Sequence, residues 1–190
     1  MYTSPHNIFL ALKGCLERNT PQINKVIREY EPSKSLTLIE GIRETLPVDA
    51  YPTLEVEATS ASNSWATTRG QRPRYEFSCM LTVRVSNLQY GHEYITTLAT
   101  VVSEIMTSPE NLQLVVPNET HWTAYDGMVE TKILDSLVEN VRYNSVKDGT
   151  IRVAEFSWFA LIHESYPETK WRVGESMTPS VLRPTVTPLV

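Results

Sequence analysis

A chain of 190 residues that is 41% hydrophobic and 21% charged has ordinary globular composition and is long enough for one sizeable core, so a single domain with appendages is the expectation. A formal charge of −5 and a sequence pI near 5.4 argue against a protein whose main work is gripping nucleic acid, because phosphate binding needs clustered Lys and Arg. The acidic balance favours protein partners.

The N-terminal stretch "MYTSPHNIFLALKGC" has no basic segment followed by a long apolar run. No window approaches the roughly 18 apolar residues of a membrane span, so neither secretion nor membrane insertion is expected. Ser4 before Pro5 is a helix start, and Ile8, Phe9, Leu12 and Leu16 repeat at helical spacing, which predicts a helix over about 5–18. Cys15 on this helix and Cys79 further on fit two reduced buried thiols better than a disulfide, and with them a cytoplasmic folding site. "INKVIREYEP" is β-branched enough to favour a strand ending before Pro32, although Thr20-Pro21 also suits a helix start. Leu36, Ile39, Ile42 and Leu46 predict another short helix, broken at Pro47. "YPTLEVEATS" then alternates Leu54 and Val56 against Glu55 and Glu57, as a strand with one wet face does.

The polar stretch "SASNSWATTRGQRPR" reads as a long loop carrying Trp65, Arg69, Arg72 and Arg74, and it leads into a strand in which Tyr75, Phe77, Cys79, Leu81, Val83 and Val85 alternate. "HEYITTLATVVSEIM" places Tyr94, Ile95, Leu98, Val101, Val102, Ile105 and Met106 along one side of a helix that ends before Pro109. "NLQLVVP" reads as a short strand and "NETHWTAYDGMVET" as a turn. Ile133–Val146 and Ile151–Glu164 flank Asp148-Gly149, a hairpin signal. From Ser165 on, four prolines punctuate a segment without apolar periodicity, the pattern of an extended arm. The sum is an α+β domain over residues 1–164, an antiparallel or mixed β-sheet flanked by helices on one face, with a Pro-rich arm over 165–190.

Chemistry is harder to find. His92-Glu93 starts like a zinc-binding HExxH, but Thr96 stands where the second His belongs. His6, His92, His121 and His163 lie in separate segments, and two cysteines supply no ligand spacing, so no metal site is expected. No phosphate-binding glycine motif or nucleophile elbow is present, and no cofactor is expected. Glu55 and Glu57, two apart on one strand face, and with them His121 and Asp126, are the best set an enzyme could use. The ordinary reading of the two glutamates is a solvated strand face. The three arginines near Trp65 are few for single-stranded nucleic acid. Trp and Arg are, however, the residues most enriched in interface hot spots. The loop therefore reads as an arm reaching a neighbour through Trp65, Arg69, Arg72 and Arg74, and Tyr166, Trp171 and Arg172 mark the C-terminal arm as a second contact.

In order and character of elements over Pro5 to Glu164, the N-terminal helix, "YPTLEVE", "SNSWATTRGQRPRYEF", "YITTLATVVSEIM" and the strands "ILDSLVENVRYNSV" and "IRVAEFSWFALIHE" together resemble the tail-terminator, or tail-completion, neck proteins of long-tailed bacteriophages. The resemblance implies a non-enzymatic virion subunit, assembled in the host cytoplasm, that forms a hexameric ring on the head-proximal end of the tail. It implies as partners further copies of the chain, the tail-tube protein, the head–tail connector and, on a contractile tail, the sheath. DNA would be passing cargo in the channel, and no membrane is involved. A head-completion or stopper protein is the structural alternative, and a small α+β enzyme the other.

Overall fold

The computed structural model describes residues 4–42, 51–62, 65–67, 70–85, 87–108, 112, 130–146 and 150–165. Helix α1, Pro5–Arg18, begins as its sequence predicts, with the Asn7 amide donating to Ser4 Oγ at 3.2 Å and Pro5 in the first turn. Its Ile8, Phe9, Leu12, Cys15 and Leu16 are buried.

The segment expected as a strand is helix α2, Thr20–Tyr30. Ile23, Val26 and Ile27 are β-branched, yet their i, i+3, i+4 spacing presents one buried stripe beside α1, and that packing outweighs the strand preference. Glu31 precedes Pro32 and ends the helix, its amide donating to the Ile27 carbonyl.

The next correction runs the other way. Residues 37–40 form strand β1, Thr37–Glu40, where a helix was expected. The apolar spacing of Leu36, Ile39 and Ile42 suits either state over so short a run, and pairing with a neighbouring strand decides it. Leu46 and Pro47 lie outside the described residues.

Strands β2 (Thr53–Ser62), β3 (Trp65–Thr67), β4 (Gly70–Gln71) and β5 (Arg74–Arg84) follow, then helix α3 (Gly91–Met106) and the hairpin strands β6 (Glu130–Val146) and β7 (Ile151–Ser165). The 111–117 strand expectation and the 118–131 turn expectation lie outside the described residues apart from Leu112 and from Glu130 and Thr131, which open β6 instead of ending a turn.

The seven strands make one mixed sheet. β1 pairs in parallel with β2, and every other pairing, β2–β5, β5–β7, β6–β7, β3–β4 and β4–β7, is antiparallel. β7 is flanked by β5 and then β4 on one side and by β6 on the other. Phe77 faces Trp158, Cys79 faces Phe156 and Leu81 faces Ala154, so the buried alternate residues of β5 and β7 form one continuous apolar floor. α3 covers that floor with Tyr94, Ile95, Leu98 and Val102, and α1 and α2 pack against α3. This is the expected α+β arrangement, with the helices on one face.

Two polar groups are built into the core. Trp158, 0% exposed, stacks at a tilt on Phe77 with centroids 4.9 Å apart, and its Nε1 donates to Ser136 Oγ at 2.7 Å. The Ser136 hydroxyl in turn donates to the Met106 carbonyl at the end of α3, tying β7, β6 and α3 together. Near the other end of α3, Tyr94 stacks on Tyr30 and donates its hydroxyl to Glu31 Oε2 at 3.0 Å.

Burial, and next the negative charge of Glu31, hold the Tyr94 phenol well above the usual tyrosine range. An unfolded tyrosine ionises near pH 10. The contribution of this raised pKa is therefore fully present below about pH 10 and is lost as pH rises beyond it. Tyr94→Phe should cost about 1–2 kcal/mol at pH 8 by removing the bond. It should also flatten the stability loss above pH 10, measurable as urea midpoints of parent and variant at both pH values. Equal pH slopes would refute the assignment.

Cys15 and Cys79 are free and buried, and desolvation raises both thiols, Cys79 far above the ordinary range, so neither is a reactive thiolate.

Candidate assembly interface

The sequence puts the contact residues on a loop, and the fold puts them on a β-ribbon. β2 runs past the core to Ser62, all of it exposed from Glu57 on, and stays paired with β5 up to Ser62 opposite Arg74. Thr59 Oγ donates to the Glu76 carbonyl at 3.1 Å and Ser60 Oγ to Glu76 Oε2 at 3.0 Å, which fastens this extension despite a register shift between Ala58 and Ser60. The chain then turns back through β3 and β4. Trp65 stands opposite Gln71, and Gly70 and Gln71 pair with Ser165 and Glu164 at the end of β7.

Arg74 sits on the sheet face away from the helices, its guanidinium 4.3 Å from the centroid of the Phe159 ring, a cation–π contact worth about 0.5–1 kcal/mol where exposed. Arg72 is exposed beside it. The backbone thus gathers the positions of Trp65, Arg72 and Arg74 at one end of the sheet, where β7 also ends. The Trp65 side chain and all of Arg69, Tyr166, Trp171 and Arg172 lie outside the described residues.

A second surface escaped the sequence reading. Among the described residues β6, a strand of 17 residues, pairs only with β7 and forms an edge of the sheet. Residues 139–146 are exposed without interruption, and Leu134, Leu137, Val141, Tyr143 and Val146 are 36–49% exposed. Register shifts between Ile133 and Asp135 and between Glu139 and Arg142 break the alternation, and Asn140 takes the left-handed conformation (φ 59°) at the second. The bulges break the in-out alternation along this strand. The signal was present as a lost period of two: Leu134, Leu137 and Val141 do not alternate.

Of the catalytic set, Glu55 and Glu57 are the members among the described residues. Glu55 and Glu57 do share a face, opposite Met80 and Ser78, but Glu55 is 0% exposed while Glu57 is exposed. The wet-face reading of Glu55 is thereby corrected: its side chain is buried, and Thr53 and Thr82 are buried on the same face. His121 and Asp126 lie outside the described residues. His6 pairs with Glu40 at 2.8 Å on the surface, and His92 meets the edge of the Tyr143 ring at 6.0 Å. Among the described residues no group of three or more His, Cys, Asp and Glu is placed to hold a metal ion, and no helix is long and apolar enough to cross a membrane.

Against known proteins, no protein-family model and no curated protein sequence matches the chain. The fold is similar to that of a solved chain from the virion of a native gene transfer agent particle, with a TM-score of 0.53 and 10% identity, covering 86% of this chain and 99% of that one. A second solved chain aligns at TM-score 0.43 and 12% identity over 82% of this chain and 94% of its own, too loosely to carry an argument. The first likeness is one of fold.

Proposed function

We propose that the chain is a structural virion subunit without catalytic activity, a tail-terminator-like protein that forms a ring, hexameric in the resemblance, at the head-proximal end of a phage-like tail. The observation that carries this reading is the uncovered edge of β6, exposed over residues 139–146 with Val141, Tyr143 and Val146 facing solvent. Natural proteins avoid long unpaired apolar edges unless something covers them. The fold shared over nearly all of a gene-transfer-agent virion chain supplies the kind of assembly in which such an edge is covered. Rings need one surface to meet a different surface of the next copy, and the ribbon carrying Trp65, Arg72 and Arg74 would give each subunit a second, distinct contact, with Arg69 as a further candidate. The domain of residues 1–164 would build the ring. The arm of residues 165–190, with Tyr166, Trp171 and Arg172, would reach the tube, connector or sheath. An acidic subunit suits a channel that DNA crosses without adhering.

Negative-stain imaging of the purified chain, alone and with tail-tube protein, tests the role: rings capping tube ends are expected, and isolated particles that leave tubes uncapped would refute it. Trp65→Ala should leave the circular dichroism unchanged and weaken tube capping by about 2 kcal/mol or more, roughly 30-fold in affinity. Capping at parental affinity would remove Trp65 from the interface.

A further inference from the structure

We propose that copies of this chain join edge to edge, the exposed half of β6 in one subunit adding as an antiparallel strand to β1 of the next. The proposal rests on the ring reading and specifies which surfaces would close it.

Among the described residues β1 and β6 are open edges of the sheet, and the two differ in make. At one, β1 pairs with β2 alone among the described residues. The Thr37 amide donates to the Pro52 carbonyl at 2.9 Å and the Gly41 amide to the Val56 carbonyl at 2.8 Å, both toward β2. Along a strand these groups alternate, so Leu38 and Glu40 turn their amides and carbonyls to the open side. That edge is apolar as well: Leu36, Leu38 and Ile39 are half-buried and Ile42 is 42% exposed. Beside it a groove runs between β1 and helices α1 and α2, lined by Lys13, Leu16, Ile23, Asn24, Leu36 and Leu38. Asn24 Oδ1 is shielded from solvent there without a hydrogen-bond partner among the described residues. A buried acceptor left unpaired is unfavourable, so a donor entering the groove would stabilise it.

At the other edge β6 offers the complementary set. Tyr143 and Ser145, opposite Ala154 and Arg152, lie on the helix side of the sheet and carry hydroxyl donors, and Val141 and Val146 add apolar surface. Direction agrees too. β1 runs parallel to β2, while β2, β5, β7 and β6 alternate, so β6 runs opposite to β1 within one subunit. A rotation axis along the strands carries that relation to the neighbour and makes the joined pair antiparallel. Because the two edges differ, the contact is heterologous and repeats from copy to copy until it closes. Pairing of β6 with a second β6 would instead stop at a dimer.

Thr37 and Asn144 are exposed, both on the face away from the helices, and the native thiols are buried. The full-length Thr37→Cys, Asn144→Cys double variant, treated with a short bismaleimide, should give a covalent ladder ending at the ring number. Each single variant alone should stay monomeric on a denaturing gel, and the two singles mixed should give dimers and nothing longer. Dimers from Asn144→Cys alone, or assemblies that sediment as rings without a ladder, would overturn the contact and leave the ring reading standing. A chain that sediments as a monomer at every concentration would overturn both.

Discussion

Trp158→Ala is expected to lower stability by about 3–5 kcal/mol, a large share of the roughly 5–15 kcal/mol that holds a domain together. The indole is 0% exposed at the centre of the apolar floor, against Phe77, and the shortened side chain leaves a cavity beneath α3 that rigid strands cannot close. The same change removes the donor to Ser136 Oγ. Trp158→Phe separates the two losses. It keeps most of the ring packing and deletes the N–H, so it should cost much less, about 1–3 kcal/mol, because the Ser136 oxygen loses one partner while its own bond to the Met106 carbonyl persists. Denaturant unfolding of parent and both variants measures this. A soluble Trp158→Ala protein with a parental midpoint would show that the indole is not at the centre of the core.

That core was legible from the residues. Tyr75 to Val83 alternate because one face of β5 is buried under α3, and the apolar stripe of α3 follows from the same contact seen from the helix. Ser4-Pro5 gave the start of α1 because capping is local chemistry. α2 and β1 were misread for one reason: each is short, and over four to eleven residues Ile and Val fit a stripe or a pleat equally well until a neighbour chooses. Glu55 was misread because burial of a charged residue depends on what covers its face of the sheet, and a single strand's pattern does not contain that. The candidate interface was half legible. Composition pointed to the ribbon of Trp65 to Arg74, though not to its pairing with the end of β7. The exposed edge of β6 was hidden because apolar residues in a strand are ordinarily assigned to the core, and which strand ends at an edge is not written in that strand's own pattern.

That edge yields the sharpest separation of stability from assembly. Val141→Asp should leave the isolated subunit within about 0.5 kcal/mol of the parent, because Val141 is 40% exposed and makes no part of the buried cluster. In an assembled contact the same carboxylate would be taken out of water with no partner, replacing an apolar anchor by a charge. The expected cost there is about 2–4 kcal/mol at each interface, the range of a hot spot, or 30-fold to nearly 1,000-fold in association. A closed ring repeats the loss at every junction, so even the lower figure should shift the subunit from ring to monomer at micromolar concentration. Sedimentation velocity and thermal melting of parent and Val141→Asp, run side by side, read the two effects independently. Intact rings with an unchanged melting temperature would mean that the edge of β6 faces solvent in the assembly as it does in the subunit, and the surface that builds the ring would then have to be the ribbon at the far end of the sheet. A lowered melting temperature in the monomer would instead show that Val141 belongs to the fold, and the exposure seen along β6 would no longer argue for a partner.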